Sequence, residues 1–205
     1  MALIYDISQP FPEEFEYKNR RYKMTLFFNR VIYFFALFEN NSAITDDECF
    51  EIGFEWLVKP LFKGILTTSE KAEIMQFVID NYINFRKNSD DGSHTLLNFS
   101  QDSLYIYGSF MGAYGIDLFD EQDNLHWWKF ISLFESLPDD SKIKQVISIR
   151  TQPIPTPDGH NQELINTILE QKRYYALKIP QEQLKKNANN SLNRLFDILL
   201  TKAGE

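Results

Sequence analysis

The chain has 205 residues, a net charge of −8, 24% charged side chains and a single cysteine. That length suits one ordinary domain with its own core and is too short for two full enzyme domains. Hydrophobic residues at 43% and aromatic residues at 15%, with 18 Phe, exclude intrinsic disorder. Cys49, the lone cysteine, cannot join an intramolecular disulfide and reads as a small buried hydrophobe. No basic, apolar leader opens the sequence, so the expected compartment is a reducing cytoplasm.

The acidic excess falls wholly within residues 1–138, whereas residues 139–205 are slightly basic. No stripe of Lys and Arg appears, so nucleic acid is not an expected direct partner. The longest apolar run, Leu26 to Phe38, is interrupted by Asn29 and Arg30. It falls short of the roughly 20 residues that a membrane span requires, and a helix buried on nearly all sides is expected instead.

In chain order, Phe15 and Tyr17, a Lys18-Asn19-Arg20 turn, then Tyr22 and Met24 alternate with polar residues and predict a short β-hairpin. A helix is expected over 25–39. Thr45 and Glu48 stand at capping-box spacing, Ile44 and Cys49 at staple spacing, and Pro60 just beyond, which predicts a helix over 46–58. A third is expected over 70–86, with Ile74, Phe77, Val78, Tyr82 and Phe85 on one face. Residues 87–94 then read as a solvated loop.

Ser100 or Asp102 is placed to cap a helix ending near Tyr114, where Gly115 suits a left-handed C-terminal position. Gly108 and Gly112, four apart on that helix, predict close approach of another backbone. Asp123 is placed to cap a helix over 124–137. On its wheel His126, Trp127, Phe130, Ile131, Leu133, Phe134 and Leu137 share one arc, whereas Trp128 falls with Lys129, Ser132, Glu135 and Ser136. Trp127 is therefore a core anchor. Trp128 either meets a second element or stays partly exposed as a contact residue. His126 borders the apolar arc as a hydrogen-bonded core histidine.

A helix over 141–149 precedes a proline-bearing break, TQPIPTPDG, which is the best boundary in the chain. The expected organisation is a hairpin plus helical core over 1–150, and a break with a C-terminal helix pair, 162–177 and 181–202, over 151–205. In the last helix Leu184, Ala188, Leu192, Leu195 and Leu199 form an apolar stripe that must cover the core or a partner. The expected fold is thus mainly α: a compact multi-helix domain with an N-terminal hairpin and a C-terminal helix pair.

No phosphate loop, dinucleotide fingerprint, nucleophile elbow, zinc spacing or H-E-x-x-H is present. The carboxylates of IDLFDEQDN lack the order of a calcium loop. His94, His126 and His160 have no partner at ligand spacing, so neither a metal nor another cofactor is expected. The residues alone point to an interaction protein rather than an enzyme.

The run from Tyr114 to Pro155 resembles a tailed-phage and prophage family often called gene product fifteen. Its members carry Y-G-I-D-L, then L-H-W-W-K-F, a leucine-proline break, and I-x-x-R before a proline-containing turn. Here these are Tyr114–Leu118, Leu125–Phe130, Leu137 with Pro138, and Ile147–Arg150. The hairpin and first helix at residues 4–39 agree, and KRYYAL at 172–177 resembles the usual end of the family. The helix start TLFFNR departs from the family's N-T-D-F-R-like segment, and residues 181–202 extend past its usual end.

The resemblance implies that Tyr114, Gly115, Asp117, His126, Trp127, Trp128, Phe130 and Arg150 are structural motif positions. Family genes typically precede the tape-measure gene. That position implies a non-enzymatic tail assembly chaperone, which binds the tape measure, brings tail-tube subunits to it, works in the host cytoplasm and is absent from the finished virion. Trp128, Leu184, Leu192, Leu195 and Leu199 are the candidate partner contacts, and self-association is compatible with the same apolar surfaces. Two alternatives use the same residues: a prophage-encoded module that binds a host protein, and a hydrolase using His126 with Asp123 or Asp139.

Overall fold

A computed structural model describes residues 7–39, 45–83 and 97–178. The chain divides into two compact units, Met1–Lys87 with Glu121–Ser132, and Asn88–Asp120 with Leu133–Glu205. The fold is mainly α with a small antiparallel sheet near the N-terminus.

In the first unit, β1 (Glu14–Tyr17) and β2 (Arg20–Met24) form the expected hairpin, with Phe15 opposite Tyr22. Lys18 and Asn19 both take positive φ, 49° and 59°, as a two-residue type I′ turn requires. Alternation buries Phe15, Tyr22 and Met24 on one face. α1 (Phe28–Glu39) and α2 (Asp46–Leu57) follow. α1 starts three residues later than expected, because residues 26–28 pair with 125–127 instead: Trp127 N–H donates to Leu26 O and Phe28 N–H to Leu125 O.

The Thr45–Glu48 capping box is present. Ile44, the other half of the predicted staple, lies outside the described residues, whereas Cys49 is buried with its Sγ 3.2 Å from Leu37 O. Gly53 lets α2 approach α1, since a Cβ there would stand 2.3 Å from the Phe34 ring.

Beyond α2 the chain adds a strand that periodicity did not reveal. β3 (Val58–Pro60) pairs antiparallel with β2 and makes the hairpin a three-stranded sheet of order β1-β2-β3. Pro60 is tolerated because β3 is an edge strand. α3 (Thr68–Val78) starts on a second capping box, Thr67 with Glu70, and runs into a π-helical turn, Ile79–Ile83. Of the predicted face, Ile74, Val78 and Tyr82 are buried and Phe77 is half-buried. Phe85 and the loop 87–94 lie outside the described residues.

In the second unit α4 (Ser103–Tyr114) packs with α6 (Lys142–Thr151), and α6 with α7 (Gln162–Tyr174). α5 (Trp127–Glu135) contributes residues through Ser132 to the first unit and Leu133–Glu135 to the second. The proline-bearing segment 152–161 runs between α6 and α7 within the second unit. Phe110, Leu97, Ile143 and Val146 centre its core. The predicted helix 181–202, with Leu184, Leu192, Leu195 and Leu199, lies outside the described residues.

Gly115 adopts the left-handed conformation at φ 66° and ends α4, as its position implies. Gly108 and Gly112 depart from expectation. Both are exposed, and no described atom lies within 4 Å of a Cβ built on either.

Candidate functional site

Two polar arrangements are built into the described core, one in each unit. In the first unit, Trp127 Nε1 donates to Ile83 O at 3.2 Å and Trp128 Nε1 donates to Tyr82 O at 2.7 Å. Adjacent indoles thus reach adjacent carbonyls at the end of the π-helical turn. Carbonyls near a helix end or in a π turn fall out of the regular i to i−4 ladder and need other donors. The paired tryptophans supply them while each fills a large share of the core.

Trp128 was the wheel's outlier and a candidate contact. It is only 4% exposed, so it is a core residue and not a free apolar surface. Of the two alternatives its wheel position left, the first holds: the side chain meets a second element, the π-helical turn at Tyr82. Asp123 likewise is no helix cap. It sits at φ 55°, and its carboxylate accepts from Arg30 Nε at 2.7 Å, Arg30 Nη2 at 3.1 Å and Asn29 Nδ2 at 3.2 Å. The Arg30 bonds, then Asn29, hold this carboxyl below the usual carboxylate range.

His126 is half-buried and stacked on Phe11, with ring centroids 4.1 Å apart. Its Nδ1 accepts from Trp128 N–H at 3.2 Å, the role of a hydrogen-bonded core histidine. Burial pushes its imidazole down to about 4, and the nearby Lys129 ammonium adds to the shift. The ring is therefore neutral at neutral pH, and its hydrogen bond requires an unprotonated Nδ1. The Asp123 carboxylate, proposed as its partner in a hydrolase, is engaged with Arg30 and Asn29.

In the second unit Arg150 forms a fork with Asp102, Nη1 to Oδ2 and Nη2 to Oδ1, both 2.7 Å. The side chains are 9% and 1% exposed. Arg150 Nε also donates to Tyr175 O at 2.7 Å, and Asp102 Oδ2 accepts from Asn98 N–H at 3.0 Å. Asp102 occupies the N-cap position of α4 without capping it, because its carboxylate is directed to Arg150. Tyr114 OH donates to Leu133 O at 2.9 Å. Asp117 accepts from Tyr107 OH at 3.2 Å and from Phe119 N–H at 2.9 Å. Phe130 stacks on Phe28 at 4.9 Å.

A family model described as Bacteriophage Gp15 protein matches residues 7–177. The chain belongs to that family. No curated protein and no solved structure matches it. In this Gp15 family member every motif residue named above has an internal partner or a backbone role. Among the described residues no group of three or more His, Cys, Asp or Glu side chains could hold a metal ion, and no helix is long and apolar enough to cross a membrane.

Exposed apolar side chains lie elsewhere. Tyr33 and Trp56, 42% and 43% exposed, lie against each other on neighbouring helices of the first unit, with ring centroids 4.7 Å apart and planes tilted by 32°. Arg30 lies over the Trp56 ring at 5.6 Å and donates to Trp56 O at 3.3 Å, so the pair is fixed from beneath. The third tryptophan of the sequence was the available signal: it lies at the edge of the α2 apolar face rather than at its centre. A second surface is an open groove of about 410 Å³ whose lining includes Val58, Pro60, Ile65, Leu66 and Lys71, with Ile65 almost fully exposed.

Proposed function

We propose that this protein is a non-enzymatic tail assembly chaperone that binds the phage tape measure and tail-tube subunits in the host cytoplasm and leaves before the virion is complete. Membership of the Gp15 family carries this reading. A tape measure presents long amphipathic helices before the tube encloses it, and covering them requires exposed apolar side chains on a rigid body, with no nucleotide or metal. Tyr33 and Trp56 supply such a patch. The two rings hold each other and Arg30 holds Trp56, so little side-chain entropy is lost on docking. They take the place of Trp128 as the aromatic contact. An acidic body keeps the complex soluble.

The test is co-expression of the full chain with the tape-measure protein of the same phage. The soluble fraction of tape measure and its co-elution with the chaperone are scored. Trp56→Ala and Tyr33→Ala are expected to reduce co-elution severalfold while leaving the circular dichroism spectrum unchanged. An equally soluble tape measure with and without this chain, and no co-elution, would sink the reading.

A further inference from the structure

The proline-bearing segment between α6 and α7 gives no buried residue to the core of the second unit. Residues 152–158 run straight, without turn or bend, and all but the half-buried Pro155 are exposed. A proline fixes its own φ at about −65° and turns the residue before it away from helix, so Pro153, Pro155 and Pro157 hold the run in the polyproline II conformation. Gln152, at φ −50° and ψ 126°, already stands near it. Both ends are tied: Lys172 Nζ donates to Arg150 O at 2.6 Å just before the run, and Asn161 Nδ2 donates to Thr156 O at 2.9 Å near its end.

A polyproline II helix repeats every three residues, so Ile154 and Pro157 share one outer edge, about 9 Å apart, and Pro155 falls on another. The carbonyls of Pro153, Ile154, Pro155 and Pro157 meet no donor among the described residues. An apolar ridge of this kind, ordered in advance and rich in acceptors, docks on aromatic rings that carry N–H or O–H donors.

The first unit presents such rings. Tyr33 and Trp56 lie side by side at the surface, and Tyr33 OH and Trp56 Nε1 have no acceptor among the described residues. Charge agrees. α2, which carries Trp56, has five acidic and no basic residues, whereas α6 and α7, which flank the ridge, together have five basic and two acidic. A ridge placed on an aromatic pair therefore brings opposite charges together, and pair on pair brings like ones. Both surfaces remain exposed in the single chain, Ile154 at 49% and Trp56 at 43%, so the occupant is a second copy.

We propose that the Ile154–Pro157 ridge of one copy docks on the Tyr33–Trp56 pair of a second copy, so that the protein associates with itself through two unlike surfaces. Such a heterologous contact extends from copy to copy unless a ring closes it. Few residues on each side take part, so a single contact is weak and depends on concentration. The inference concerns the isolated chain and does not rest on the tape-measure reading. It adds to that reading that a tape measure and a second copy exclude each other at Trp56.

Sedimentation velocity of the purified full chain at rising concentration is the test. The weight-average mass should climb above the 24.2 kDa of one chain. Ile154→Asp and Trp56→Ala, both at exposed positions, should each stay at that mass with an unchanged circular dichroism spectrum. Mixed in equal amounts, the two variants should form a one-to-one pair and nothing larger, because Ile154→Asp keeps the aromatic pair and Trp56→Ala keeps the ridge. A wild-type mass that stays at one chain throughout would overturn the proposal. So would single variants that associate like the wild type, or a mixture that does not pair.

Discussion

Thr45 and Thr67, in the first unit, each accept from the backbone N–H three residues on, and Glu48 and Glu70 reach back to close the box. In the second unit Asp102, Ser141 and Asn161 stand at helix starts, and none of them caps its own helix. The first-turn N–H of Ile143 in α6 is met instead by Ser109 Oγ of α4 at 3.1 Å, and that hydroxyl in turn donates to Tyr105 O at 2.7 Å. α2 and α3 thus close their N-terminal ends locally, whereas α6 closes its own with a partner distant in sequence. The two cores differ in a second way. The first is anchored by neutral indole-to-carbonyl bonds, the second by a buried ion pair.

Substitutions that break these anchors should have the largest effects. Trp127→Ala removes a fully buried indole and its bond to Ile83 O, at a cost of about 3–5 kcal/mol, which is a large share of the stability of an ordinary domain. Trp128→Ala is expected to cost nearly as much, since it too is buried and bonded. Denaturant midpoints of the two variants test this. A much milder Trp128→Ala would return that residue to the surface.

Next comes the ion pair. Arg150→Met strands the Asp102 carboxylate in a site 1% exposed, and removing one partner of a buried pair costs about 3–5 kcal/mol. Arg150→Met combined with Asp102→Leu should recover much of that loss, because the uncompensated charge is then gone as well. A double variant no more stable than the single one would mean that the Arg150 bond to Tyr175 O carries the effect. Neither Trp127→Phe nor Trp128→Phe strands a charge, so each should cost no more than about 1–3 kcal/mol for its unmet carbonyl.

His126 gives the first unit a pH response. Its folded value, about 4, lies below the unfolded imidazole value of 6.5, so the unfolded chain binds more protons between them. Stability is then intact above about pH 6.5 and falls as pH drops toward 4, by on the order of 2–3 kcal/mol. Thermal midpoints across that window should decline in the wild type. His126→Gln should flatten the decline, and an equal slope in that variant would place the acid sensitivity in another group.

Legibility in the sequence followed the distance between partners rather than the unit they belong to. The Thr45–Glu48 capping box, the hairpin alternation and Gly115 are local signals, and each appears in the structure where its spacing places it. β3 was hidden because Val58–Pro60 is too short for a period and its strand character comes from β2. Asp102 read as a cap because nothing near it announces Arg150, 48 positions away. For Trp128 the wheel left two alternatives open, because the element that covers its far side, the turn at Tyr82, is 46 positions away. The Tyr33–Trp56 patch needs two helices to be seen, so no single-element pattern contains it.

The cap series sharpens the comparison at the smallest scale. Thr67→Ala should cost about 1 kcal/mol, the usual value for a lost N-cap. Ser141→Ala, at the equivalent position of α6, should be neutral or slightly stabilising, because the Ser141 hydroxyl oxygen is buried with no hydrogen-bond partner. The cost at that helix start should appear instead at Ser109→Ala, about 1–2 kcal/mol, since Ile143 N–H is then left buried and unmet. Urea midpoints of the three variants rank them. A Ser141→Ala loss equal to that of Thr67→Ala would show that α6 is capped by its own first residue in solution, and that the Ser109 bond is secondary to it.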